Sequence, residues 1–123
     1  SELLILTYGN GTFYSRQAAK ILEQKHNIKP RILDLRWVAP IDAKKLAAEA
    51  AKSKHVLIVD ECRKTGSLSE YLVAALVEQL DKPPRIRVVA ADDCFIPLGV
   101  AAAAGLPSRD QIVTEALRLL NKV

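Results

Sequence analysis

The sequence predicts an α/β fold, a three-layer α/β/α sandwich around a mainly parallel sheet of strand order 2-1-3-4. Two observations carry this. Four short β-branched and Leu-rich runs alternate with four helical patterns across short connections, the signature of consecutive βαβ units. The runs are also nearly continuously apolar, as in strands covered on both faces, whereas half-exposed strands alternate. A chain of 123 residues fits one domain, residues 1–123, with length enough for a real core.

The first strand is read at Leu3–Thr7. It leads through Tyr8-Gly9-Asn10-Gly11-Thr12-Phe13-Tyr14 into a helix whose Tyr14, Ala18, Ile21 and Leu22 form an apolar stripe at i, i+4, i+7, i+8. Arg31–Leu35 is the second strand, and Pro40 with an N-cap at Asp42 opens a second helix bearing Ala43, Leu46, Ala47 and Ala50. His55–Val59 is the third strand. Ser67-x-x-Glu70 then reads as a capping box opening a helix whose Leu72, Val73, Leu76, Val77 and Leu80 are apolar over a wide arc. Arg85–Ala90 is the fourth strand, and Ser108-x-x-Gln111 opens the last helix, with Ile112, Ala116, Leu119 and Leu120 inward.

Composition excludes several function classes. The net charge is +4, but the basic residues are scattered and few aromatics accompany them, so no nucleic-acid partner is expected. Cys62 and Cys94 stand apart, without a Cys-x-x-Cys or a nearby His, which argues against zinc and against a disulfide scaffold. A soluble chain in a reducing cytoplasmic compartment is expected. The longest uncharged stretch, Cys94 to Ser108, is broken by Pro97, Gly99, Gly105 and Pro107, so it is no membrane span. Lacking Met and starting at Ser1, the chain is expected to be a fragment of a longer enzyme.

Three places could carry chemistry. Gly9-x-Gly11 after the first strand, with Asp34 ending the second, is a partial dinucleotide fingerprint. The glycines would bring a pyrophosphate to a helix N-terminus, and the carboxylate would hold ribose hydroxyls. Tyr14 stands where the third glycine belongs, and Asp34 has Arg36 as a structural partner. Asp60-Glu61-Cys62-Arg63-Lys64-Thr65-Gly66 follows the third strand, where open α/β sheets bind ligands. Cys62 lies beside two cations there but lacks a base, since His26 and His55 sit elsewhere. Asp92-Asp93 follow the fourth strand and are too few to hold a cation. No nucleophile, base and orienting group converge, so no catalytic, cofactor or metal residue is assigned. The remaining candidates form an interface: Glu61, Arg63, Thr65 and Gly66 after the third strand, then Asp92 and Asp93 after the fourth. Phe95, Ile96, Leu98 and Val100 complete it as an apolar patch.

Thr7-Tyr8-Gly9, Asp34-Leu35-Arg36 with Pro40 and Asp42, Val59-Asp60-Glu61 with Thr65-Gly66, and Ile96-Pro97 together resemble the transketolase C-terminal domain family. The resemblance covers essentially the whole chain, and its form is closest to the beta subunit of 2-oxoacid dehydrogenases. It implies an α/β/α fold whose antiparallel first edge strand would precede Ser1, leaving Arg31–Leu35 with an open edge. It also implies a parent enzyme that uses thiamine diphosphate and magnesium, decarboxylates a 2-oxo acid and passes the acyl group to a lipoyl carrier. Cofactor and catalytic histidines would lie in the preceding domains, with none bound by this domain alone. The partners implied are the preceding pyrimidine-binding domain, a partner subunit and the acyltransferase core. Ser67 replaces a usual glycine, and Leu98-Gly99 replaces the usual Tyr and Leu-Glu after Ile-Pro, as in forms that fuse alpha and beta subunits. Transketolase and deoxyxylulose-phosphate synthase share the fold, and a free-standing nucleotide module using Gly9, Gly11 and Asp34 is the alternative of a different class.

Overall fold

Alternation of side-chain direction along a strand explains how one apolar run can serve two cores. In the computed structural model, which describes residues 1–123, all five residues of β1 (Leu3–Thr7) are buried. Leu3 and Ile5 point to one side, where they join Ala18 and Leu22 of α1 (Asn10–His26) and Ile112, Ala116 and Leu119 of α4 (Arg109–Leu119). Leu4 and Leu6 point to the other side and meet Leu46, Ala47 and Ala50 of α2 (Ala43–Ala50) and Leu72 and Leu76 of α3 (Leu68–Gln79). Each such Leu or Ile contributes roughly 1.5–3 kcal/mol by leaving water.

The sheet has order β2-β1-β3-β4, with β2 at Arg31–Asp34, β3 at His55–Arg63 and β4 at Arg85–Ala91. Every pairing is parallel, with Leu6 in register with Leu33 and Ile58, and Ile58 with Val88. The expected fold class and strand order are therefore present. Both β2 and β4 are edge strands. No helix is long and apolar enough to cross a membrane.

Local expectations needed correction in four places. α1 starts at Asn10, so Gly11 belongs to its first turn, and the turn itself is made by Gly9 at φ 55°, a conformation glycine adopts without strain. Tyr14 is consequently off the buried stripe, which runs Gly11, Ser15, Ala18, Leu22. β3 continues past Val59 to Arg63, because Arg63 still pairs with Ala91 across an irregularity that absorbs the intervening residues. The capping box at Ser67 does not close: Ser67 makes no side-chain cap. Its role falls to Asp60, described below. The box at Ser108 does supply its cap, Oγ accepting from the Gln111 amide at 3.1 Å, and Asp42 accepts from the Lys45 amide at 3.0 Å.

Candidate functional site

The helices after β1 and β3 leave on opposite faces of the sheet, so a crevice opens between the carboxyl ends of these strands. Open α/β sheets usually hold their ligand in such a crevice. Here it is filled by the chain's own side chains. Asp60, fully buried, accepts from the Ser69 amide at 2.9 Å, the Cys62 amide at 2.8 Å and the Tyr8 hydroxyl at 2.5 Å. It thereby caps α3 from outside the helix. Glu61 turns the other way and accepts from the Gly11 amide at 3.1 Å and the Asn10 side-chain amide at 3.4 Å. Two adjacent carboxylates thus cap two helices on opposite faces, each favoured by the positive helix end it meets.

The surrounding groups are equally committed. Thr7 Oγ1 donates to the Val59 carbonyl at 3.0 Å, and a Cβ on Gly11 would collide with that hydroxyl. Gly11 therefore supplies the close helix–strand approach that sequence reasoning sought at Tyr14. Burial, and after it the hydrogen bonds to Asp60 and Cys62, push the Tyr8 phenol far above its usual pKa, which keeps it a donor at physiological pH. Cys62 is exposed, with Tyr8 Oη 3.7 Å from its sulfur. His55 begins β3 and His26 ends α1.

This geometry opposes a phosphate. The Gly11 amide that would face it already donates to Glu61, whose carboxylate occupies the cradle and would repel a diphosphate. Asp34, the third residue of the dinucleotide reading, lies 3.6 Å from the Arg36 guanidinium. Thiamine diphosphate fits these residues no better than a nucleotide does, and no three His, Cys, Asp or Glu side chains converge on a possible metal.

Next to this polar crevice stands a bare apolar rim. Between β4 and α4 the chain passes through Asp92 and Asp93 into Phe95, Ile96, Leu98 and Val100, and then a 3₁₀ turn over Gly99–Ala104. Phe95 is 100% exposed, Leu98 94% and Val100 99%. Of the predicted interface residues, Glu61, Arg63, Asp92, Phe95 and Ile96 share a cleft of about 380 Å³ with both cysteines. Arg63, Thr65, Gly66, Asp93 and Phe95 line a recess beside it. Leu98 and Val100 line neither and stand free. Asp93 staples the two loops, accepting from the Thr65 amide at 2.8 Å and hydroxyl at 2.6 Å. Those bonds, the hydroxyl first and the amide second, hold its carboxyl below the ordinary range.

The sequence reading missed a second apolar strip at the same end of the sheet. Trp37, 71% exposed, and Val38 follow β2, and Phe13 and Tyr14 project from the first turns of α1. The signal was there: apolar residues off the helix stripe, and an apolar loop ahead of Pro40.

Comparison with known proteins bears on this arrangement. Residues 1–110 match the family described as "Transketolase, C-terminal domain". The pyruvate dehydrogenase E1 component subunit beta of Bacillus subtilis is 30% identical over 123 residues, 98% of this chain and 37% of that subunit. The subunit of the same name from Staphylococcus aureus strain MW2 is 31% identical over 122 residues, again 98% and 37%. The chain thus spans little more than a third of the length of these relatives. Among solved structures, a split gene transketolase described as an inactive beta4 tetramer superposes with a TM-score of 0.83 at 24% identity, over 98% of this chain and 39% of that one. That likeness concerns the fold.

Proposed function

The chain belongs to the transketolase C-terminal domain family, and on that premise we propose that it is the non-catalytic dimerisation and docking domain of a thiamine-diphosphate-dependent 2-oxoacid dehydrogenase. The observation that carries the proposal is the contrast at the carboxyl end of the sheet. The crevice residues spend their hydrogen bonds on one another, while Phe95, Leu98 and Val100 spend their apolar surface on nothing within the chain. A contiguous exposed apolar patch marks a binding surface. Its partner would be the preceding pyrimidine-binding domain or the partner subunit, with thiamine diphosphate and magnesium held by those domains. The acyltransferase core is a further candidate partner. Sequence relatives that are pyruvate dehydrogenase subunits favour a dehydrogenase over a transketolase.

The test uses the full-length protein that carries this domain. Replacing Phe95 and Val100 together by Asp should dissociate the subunits in sedimentation velocity and abolish decarboxylation of the 2-oxo acid. Intact assembly and unchanged turnover would overturn the proposal. Calorimetric titration of the 123-residue chain with thiamine diphosphate plus magnesium, and with NAD, should give flat isotherms.

A further inference from the structure

We propose that Cys62 and Cys94 are a thiol pair that a small-molecule disulfide, such as oxidised glutathione, converts reversibly into a disulfide tying the end of β3 to the rim after β4. The inference concerns modification of the chain itself and does not rest on the docking reading.

Both cysteines are free and exposed, so neither belongs to the core and a soluble oxidant reaches either. Far apart in sequence, they line one cleft of about 380 Å³. Two ties hold their backbones close. Arg63, next to Cys62, is in register with Ala91 on β4, and neighbouring strands lie about 4.8 Å apart. Asp93, next to Cys94, accepts from the Thr65 amide at 2.8 Å and hydroxyl at 2.6 Å. At Asp93 the chain also doubles back, the Cys94 amide donating to the Asp92 carbonyl at 2.8 Å. So tight a turn keeps Cys94 beside Asp92, a wall of the same cleft. The Cys94 sulfur itself reaches the cleft, 3.8 Å from where a Cβ on Gly105 would stand. A disulfide spans about 4.4–6.8 Å between Cα atoms, so segments tied at Arg63 and at Thr65 need only a local shift to meet. The Cys62 sulfur rests 3.7 Å from the Tyr8 hydroxyl. Closing the bond therefore takes a χ1 change at Cys62, a fast move for an exposed side chain. It also draws the rim inward, where Phe95 is 100% exposed and has no packing to lose.

The exchange needs no reagent beyond the small disulfide. The thiolate of one cysteine attacks a sulfur of the oxidant, whose S–S bond breaks, and a small thiolate leaves and takes a proton from solvent. The other cysteine then gives up its proton and attacks the protein-side sulfur of the mixed disulfide. That bond breaks in turn and a second small thiol leaves. Two protein thiols are oxidised and one external disulfide is reduced to two thiols. Arg63, also at the cleft, offers a cation to the carboxylates of such an oxidant. In a reducing compartment a pair of this kind is transient and redox-sensing rather than structural.

To test this, the 123-residue chain is incubated with oxidised glutathione, quenched in acid and weighed intact by mass spectrometry. The expected product is lighter than the parent by two hydrogens, carries no glutathione and returns to the parent mass with dithiothreitol. Its digest should contain a peptide pair linked through Cys62 and Cys94. Cys62→Ser and Cys94→Ser should each stop at one attached glutathione. In urea, where the fold no longer holds the pair together, the ratio of linked product to glutathione adducts should fall about tenfold or more, because effective concentration is lost. The proposal is overturned if the native chain ends with glutathione on both cysteines, if its disulfide joins two chains, or if neither thiol reacts. It is equally overturned if the ratio does not fall in urea.

Discussion

The crevice between β1 and β3 and the rim after β4 lie at the same end of one sheet and are built on opposite principles. In the crevice Asp60 and Glu61 take up helix amides that would otherwise be orphans, and Tyr8, Thr7 and Gly11 close around them. The carboxylates and helix amides there are spent on one another. On the rim, by contrast, Phe95, Leu98 and Val100 are bare. A scaffold position is recognised by what its own chain satisfies, a contact position by what its chain leaves unsatisfied.

Breaking the crevice should therefore cost stability. The largest effect is expected for Asp60→Ala, which strands the Ser69 and Cys62 amides and the Tyr8 hydroxyl: a loss of roughly 3 kcal/mol in urea unfolding, given what charge-assisted bonds at buried donors contribute. A loss below about 1 kcal/mol would show that water replaces the carboxylate freely. Next comes Gly11→Ala, where the new methyl group must displace the Thr7 hydroxyl; overpacking of this kind costs about 1–3 kcal/mol. Thr7→Ala in the same background should recover part of it. Asp93 carries the smallest effect. Its carboxyl is held below the usual value in the folded chain, so its bonds to Thr65 stabilise fully above the unfolded carboxylate pKa near 3.9 and are lost as pH falls through the folded value. Thr65→Ala should lower stability slightly at neutral pH and leave it unchanged once Asp93 is protonated, so that the acid limb of the profile flattens slightly.

Much of this molecule could be read from its sequence, for reasons that particular residues make plain. β1 was found to the residue because continuous burial on both faces leaves Leu3–Thr7 no polar ambiguity. Ser108 could be read because nothing competes for its helix end. Ser67 misled because its rival, Asp60, is near only once β3 is paired, and pairing also carries β3 four residues beyond its apolar run. The start of α1 was misplaced for a similar reason: Gly9-x-Gly11 reads as one turn, whereas Gly9 turns and Gly11 packs. In the site, Glu61, Arg63, Asp92, Phe95 and Ile96 line one cleft, and Thr65, Gly66 and Asp93 line the recess beside it. That Glu61 caps α1 could not be read, because it depends on a contact across fifty residues of chain.

The central claim is that the segment from Phe95 to Val100 is contact surface rather than core, and Leu98 decides it. Introducing Asp at a buried leucine would forfeit the roughly 1.5–3 kcal/mol of its burial and add the several kcal/mol that an unpaired buried carboxylate costs, a large share of the 5–15 kcal/mol typical of a domain. At a site 94% exposed the same change should stay within about 0.5 kcal/mol. The measurement is thermal and urea unfolding of Leu98→Asp in the 123-residue chain: the account predicts a curve superimposable on that of the parent, and a loss of about 3 kcal/mol or more would contradict it.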